Sequence, residues 1–272
     1  MTDILAKIVA AKHLEVAERK AAASVETLKE KPWYNRPTIS LRGALESSSD
    51  FGIIAEFKRK SPSQSDINLN ADPAAVARAY RSAGAAAMSV LTDQQFFGAH
   101  PEDITIVRNT VDLPIIRKDF MVDTYQVHEA KAMGADAILL IAACLDAPLL
   151  DELAREAKSI GLEVLCEVHA GEELEKLSPA VDIVGVNNRN LKDFSVDMGQ
   201  SLRIGKKISS DYLKISESGI EDPQAVVRLR QEGFRGFLIG TYFMRQPDPG
   251  MGCSSFIKST RRIDDIYKDA IA

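Results

Sequence analysis

The feature that most constrains this chain is an alternation. From residue 52 onward, short apolar runs rich in Ile, Val and Leu take turns with longer segments of helical period. The runs are GIIAEFK (52–58), AAMSVLT (86–92), LPIIRK (113–118), DAILLIA (136–142), LEVLCEV (162–168), VDIVGVN (181–187), YLKISES (212–218) and GFLIGT (236–241). Stretches between them, such as PAAVARAYRSAGA and APLLDELAREAKSIG, read as amphipathic helices that stop at glycine, where left-handed backbone costs least. Continuous apolar strands separated by helices imply parallel strands buried on both faces.

An open doubly wound sheet and a closed barrel both satisfy that pattern. Two observations favour the barrel. There are eight runs, and the reactive residues sit at their C-terminal ends: Glu56 and Lys58, Lys118, Glu167, Asn187 and Glu217. In a (β/α)8 barrel those ends converge on one face, and residues far apart in sequence become neighbours there. The expected fold is α/β, a single TIM barrel over residues 51–272. Residues 1–50 are expected to form an N-terminal helical extension packed on it. The 272 residues suit a fold of ~250. Ile4, Ile8, Leu14, Ala17 and Ala21 recur at helical spacing, predicting one amphipathic helix to about Leu28 with charges on its other face. KEKPWYNRP then breaks the pattern as a linker.

Composition narrows the function classes. A formal net charge of -5 offers no general attraction to nucleic acid or anionic membrane, so an anionic ligand needs a locally built site. Cys144 and Cys166 lie in apolar runs and read as packing residues. No CxxC and no Cys/His ligand cluster occurs, and no metal site is expected. His128 and His169 read as solvated or capping side chains, although His169 falls close to a strand end. No run approaches the ~20 apolar residues of a membrane span, and the first residues lack the apolar core of a signal peptide. A cytoplasmic location is expected.

Glu56 and Lys58 are two apart and face the same side of a strand. They serve equally well as a buried ion pair that merely packs or as a working pair. Lys118, at a strand end in a semi-buried site, suits acid–base or Schiff-base chemistry. Arg117, on the alternate face, is expected to meet solvent or the helical layer. Glu167 follows an apolar run that favours the protonated carboxyl, and is a candidate acid or base. Asn187 offers neutral hydrogen bonds, Arg189 can reach an anion, and Phe97 and Phe120 could wall a pocket for a flat substrate. Ser218-Gly219 and Gly240-Thr241 follow the seventh and eighth runs, where TIM barrels often bind phosphate.

At this point IAEFKRKSPS, SVLTD, IIRKDFMVDTYQVHEAKAMGADAILLI, CEVH, VGVNNRNL, ISESGI and GFLIGTYFMR together resemble the indole-3-glycerol-phosphate synthase family. The resemblance runs in order from about residue 52 to 249. It implies conversion of 1-(2-carboxyphenylamino)-1-deoxyribulose 5-phosphate to indole-3-glycerol phosphate with loss of CO2 and water, without metal or organic cofactor. It further implies Lys118 as general acid, Glu167 as acid or base, and Lys58 on the substrate carboxylate. Glu56 and Asn187 would orient these groups, with Ser61, Phe97, Phe120, Arg189, Glu217 and Ser218 contacting substrate. Gly219, Gly240 and Thr241 would cradle the phosphate. The expected partner is that small phosphorylated molecule alone, bound by a monomer or weak homodimer.

Some positions depart from the family's usual pattern. Gln64-Ser65 stands where Lys-Gly is common, FFGAH (96–100) replaces F-x-G-S, and Thr241 replaces Ser. Rival readings are a class I aldolase using Lys118 or Lys58 as Schiff-base nucleophile, and a non-catalytic barrel that binds phosphorylated metabolites. Phosphoribosylanthranilate isomerase is a third, which EFKRKSPS and IRKDF do not fit.

Overall fold

The structure, a computed structural model, describes residues 4–48, 51–191 and 193–271. The strands are β1 (Ile53–Phe57), β2 (Ala87–Leu91), β3 (Ile115–Lys118), β4 (Ala137–Ile141), β5 (Glu163–Val168), β6 (Ile183–Asn187), β7 (Leu213–Glu217) and β8 (Gly236–Ile239). Each lies inside one of the eight apolar runs. Every strand pairs in parallel with the next, and β1 closes on β8 through Ile53 opposite Phe237 and Ala55 opposite Ile239. The closed barrel, not the open sheet, is the architecture.

Strand alternation sorts the side chains into two cores. Ile54, Ile116, Leu139, Leu165, Ile183, Ile215 and Leu238 fill the barrel interior. Ile53, Ala55, Phe57, Val164, Val186 and Phe237 face outward into the layer shared with the helices. One pleat beyond Ile54, Ile116, Leu165 and Ile215, on the same inward face, come Glu56, Lys118, Glu167 and Glu217. Period two therefore sets charged groups directly on an apolar floor.

The N-terminal segment is more divided than its sequence predicts. The first helix spans Ile4–Ala22, and Ser24 then starts a second helix, Val25–Lys29, by accepting from the Thr27 amide at 3.2 Å. A hydroxyl placed there satisfies an amide that a helix start otherwise leaves bare. Beyond the predicted linker a further helix, Leu41–Ser47, sends Leu41 and Leu45 into the barrel interior from below. Two carboxylates fasten this segment. Glu163 accepts from Ser40 Oγ at 2.6 Å and the Arg42 amide at 2.8 Å. Asp136 accepts from the Ile39 amide at 2.7 Å, Arg36 at 2.5 Å and Arg108 at 2.8 Å.

Three expectations need correction. Lys12 does not lie on a charged outer face; at 1% exposure it shares the buried stripe with Ile8 and Val16, four residues to either side. His128 is neither solvated nor capping, since Tyr34 Oη lies 2.6 Å from its Nδ1 and Glu156 3.0 Å from its Nε2. Arg117 meets the helical layer but is wholly buried there, donating to the Gln126 carbonyl at 2.8 Å and Asp119 at 3.0 Å. Cys166 is buried and Cys144 half-buried. No helix among the described residues is long and apolar enough to cross a membrane.

Candidate active site

One cavity opens at the C-terminal mouth of the barrel. Glu56, Lys58, Lys118, Glu167, Asn187 and Glu217 form its floor. Ser61, Phe97, Phe120 and Arg189 line it, and so do Ser218, Gly219, Gly240 and Thr241 on the side of β7 and β8. Every site residue expected from the sequence thus meets in one place.

Lys118 is the centre of the polar floor. Its Nζ lies 2.8 Å from Glu167 Oε2 and 2.8 Å from Glu217 Oε2. Burial alone would lower the lysine, but Glu167, Glu217 and Glu56 more than offset it and push its pKa above the usual value. The two carboxylates on this one ammonium part company. Burial works to raise both, yet Lys118 and His169 hold Glu167 well below the ordinary carboxylate value. Glu217, buried and facing the Glu167 charge, is pushed up to about 7 despite Lys118. Its Oε1 is buried with no hydrogen-bond partner among the described residues. The expectation that Glu167 would favour its protonated form is therefore reversed: the apolar run matters less than the cation it faces.

Glu56 and Lys58 are bonded to each other at 2.6 Å, and Ser89 Oγ donates to the other Glu56 oxygen at 3.3 Å. Asn187 Nδ2 donates to Glu167 Oε1 at 3.0 Å, while its own side-chain oxygen accepts from the Arg189 amide at 2.9 Å. Phe97 and Phe120 stand with ring centroids 6.1 Å apart on the opposite wall. Gly240 is required by space, since a Cβ there would fall 2.3 Å from Glu56 Oε1. Ser218 and Gly219 both take positive φ, 67° and 72°, so the chain turns tightly past the mouth after β7.

The departures from the family's pattern have structural partners. Gln64 Oε1 accepts from Arg245 Nη2 at 2.7 Å and Nε at 3.1 Å, joining the loop after β1 to the segment after β8. In the loop after β2, Asp93 caps the turn at the Phe96 amide, and the Phe97 carbonyl accepts from the Lys60 amide at 3.3 Å. That contact sets the register of FFGAH against the first loop.

Sequence reasoning missed three contributors. The first helix reaches over the mouth, where Ile4, Leu5 and Ile8 line the cavity. Of the expected apolar stripe only Ile4 and Ile8 turn inward, while Leu14, Ala17 and Ala21 are exposed and the buried face runs through Ile8, Lys12 and Val16 instead. Ser89 was legible only as a polar residue of inward parity on β2. His169 lies 3.2 Å from Glu167 through Nε2. Its position two residues after Glu167, on the same side of the strand path, was the available signal. Among the described residues no group of three or more His, Cys, Asp or Glu could hold a metal ion.

Comparison with known proteins agrees with this arrangement. The profile of the family described as "Indole-3-glycerol phosphate synthase" matches residues 5–255. A protein of Bacteroides thetaiotaomicron named indole-3-glycerol phosphate synthase is 49% identical over 259 residues, covering 95% of this chain and 99% of its own. One of the same name from Laribacter hongkongensis is 43% identical over 255 residues, with 92% and 97% covered. Among solved structures, thiamine phosphate pyrophosphorylase from Pyrococcus furiosus matches with a TM-score of 0.57 at 16% identity, covering 81% of this chain and 99% of that one. A chain of the tryptophan synthase a2b2 complex from that organism gives 0.55 at 15%, covering 78% and 97%. At such identities these two likenesses concern the fold alone.

Proposed function

The chain belongs to the indole-3-glycerol phosphate synthase family, a carboxy-lyase family of tryptophan biosynthesis, and on that premise we propose how its barrel mouth closes the indole ring. The substrate is 1-(2-carboxyphenylamino)-1-deoxyribulose 5-phosphate. Its phosphate would sit by Gly219, Gly240 and Thr241, between the tight turn after β7 and the chain that follows β8. Its aromatic ring would lie against Phe97 and Phe120, with its carboxylate on Lys58. Holding both ends forces the flexible chain toward closure.

The observation that carries this reading is Lys118 held 2.8 Å from each of two buried carboxylates, Glu167 and Glu217. A lysine whose pKa is raised is a cation at neutral pH. It can donate a proton to the substrate carbonyl oxygen as the ring carbon attacks, but it is a poor Schiff-base nucleophile. The aldolase reading is disfavoured on that ground. The new C–C bond leaves an iminium on the ring. The C–CO2 bond then breaks and its electron pair neutralises the nitrogen, restoring aromaticity as CO2 departs. Dehydration follows: Glu167, held ionised, takes a proton from the adjacent carbon, and the hydroxyl leaves as water with a proton from Lys118. Glu56 holds Lys58 in place, and Asn187 holds Glu167. Arg189, Ser61, Glu217 and Ser218 contact the sugar chain and its hydroxyls. We read the enzyme as a monomer or weak homodimer because one chain supplies the whole cavity, and as cytoplasmic because its family serves a biosynthetic step.

The test is indole fluorescence on mixing EDTA-treated protein with that substrate. An enzyme-dependent rise supports both the ring closure and the expected independence of metal. No rise, with folded protein and verified substrate, would favour the binding-module reading.

A further inference from the structure

Resting on this reading of Lys118 and Glu167, the reaction carries a proton requirement. Lys118 gives one proton to the carbonyl oxygen and another to the departing hydroxyl, while Glu167 receives one. Starting from the substrate carboxylate, each turnover therefore consumes one proton from solvent. Glu167 Oε2 touches Lys118 and can return the proton it gained, but the second must come from outside.

We propose that His169 delivers this proton, passing it through Glu167 to Lys118. Its Nε2 lies 3.2 Å from Glu167 Oε1, the oxygen that does not face Lys118. The two carboxylate oxygens thus connect an imidazole on one side to an ammonium on the other. His169 also stands behind Glu167, outside the side chains that line the cavity, with both ring nitrogens buried, so its proton exchange runs by way of Glu173 rather than past the substrate. Its side chain keeps 11% exposure, against 4% for Glu167. On the outer side Nδ1 lies 3.9 Å from Glu173, itself 16% exposed, which marks the direction of solvent. Gln200 steadies the loop by donating to the His169 carbonyl at 2.9 Å and the Asn187 carbonyl at 2.6 Å.

The step balances. Imidazolium Nε2–H gives its proton to a Glu167 oxygen, Glu167 gives one to the neutral Lys118 amine, and the imidazole recovers a proton from solvent. The charged groups around the ring are Glu167 on its own strand, Glu173 on the following turn and Glu217 on β7, with the Lys118 cation beyond Glu167. Burial by itself lowers the imidazole, but contact with Glu167 and the charges of Glu173 and Glu217 raise it above the usual histidine value. These contacts favour the protonated ring, the form that can donate a proton to Glu167.

The experiment measures kcat, KM and the pH–rate profile for the natural chain, His169→Asn and His169→Ala, the last with and without added imidazole. We expect kcat to fall by about 10- to 100-fold in both variants, below the full effect of removing a general acid. KM should stay near its normal value, the alkaline limb of the kcat profile should move, and imidazole should restore part of the loss in His169→Ala. Should His169→Ala not fold, His169→Asn, which keeps a polar side chain without a titrating ring, decides alone through its pH profile. Near-normal kcat in the variants overturns the proposal, and so does a loss with unchanged pH profile and no imidazole rescue. An inactive natural chain would instead overturn the ring-closure reading beneath it.

Discussion

Lys12, on a helix outside the barrel, places its ammonium 2.9 Å from Asp93 and 2.9 Å from Asp119, the residue that follows Lys118. The first helix is thereby tied to the ends of β2 and β3 just where the mouth is built. Asp119 is held down to about 2, because Arg117 and Lys12 outweigh the effect of its burial.

Removing Lys12 leaves two buried carboxylates short of a cation. Lys12→Met should destabilise the fold by about 3–5 kcal/mol, the usual cost of breaking a buried pair from one side. Urea unfolding measures this directly. Since Ile4, Leu5 and Ile8 ride on the same helix, KM should rise as well. A variant of normal stability would show that the aspartates do without Lys12.

Lys118→Ala and Glu167→Gln should each lower kcat by roughly 10²–10⁴-fold, the range for a positioned acid or base. Steady-state assays on both variants test the assignment, and near-normal turnover in either removes that residue from the chemistry.

Glu217 gives a pH signature with a definite sign. Its folded pKa of about 7 lies above the ordinary carboxylate value, so the native chain holds a proton that the unfolded chain releases. Stability from this group is fully present below the ordinary value and is lost as pH rises through about 7. Comparing urea midpoints of the natural chain and Glu217→Gln across that window should show a loss in the former only. Parallel curves would mean that Glu217 is already ionised.

Gly240→Ala should impair both binding and turnover. The new methyl would fall 2.3 Å from Glu56 Oε1 and 2.9 Å from Glu56 Cβ, displacing the partner of Lys58. From its sequence neighbourhood alone, a bulky residue here would be expected to raise mainly KM. Contact with Glu56 adds a fall in kcat, and an unchanged kcat would show that Glu56 can move without consequence.

Strand positions and inward parity were legible because both are local. An apolar run of the right length is a strand wherever it is buried, and period two then tells which side chains share a face. That is why Glu56, Lys118, Glu167, Asn187 and Glu217 could be gathered at one mouth before any coordinates. The helix Leu41–Ser47 escaped notice because seven residues carry little periodic signal, and its purpose lies in the floor it closes. Lys12 was misplaced because a lysine on an amphipathic helix is ordinarily solvated, whereas here Asp93 and Asp119, more than eighty residues away, join Glu15 in making its burial tolerable.

The amino-acid sequence by itself determined the eight-stranded alternation and the residue types that meet at the barrel mouth, and it favoured the closed barrel that the strand pairing shows. Only the tertiary structure decided their charge environment: that Lys118 and His169 hold Glu167 below the ordinary carboxylate value while burial and Glu167 push Glu217 above it. The physical reason is range. Hydrophobic periodicity acts between neighbours in the chain, whereas a buried charge responds to whatever lies within a few ångströms, and here those groups come from strands about fifty and one hundred residues apart.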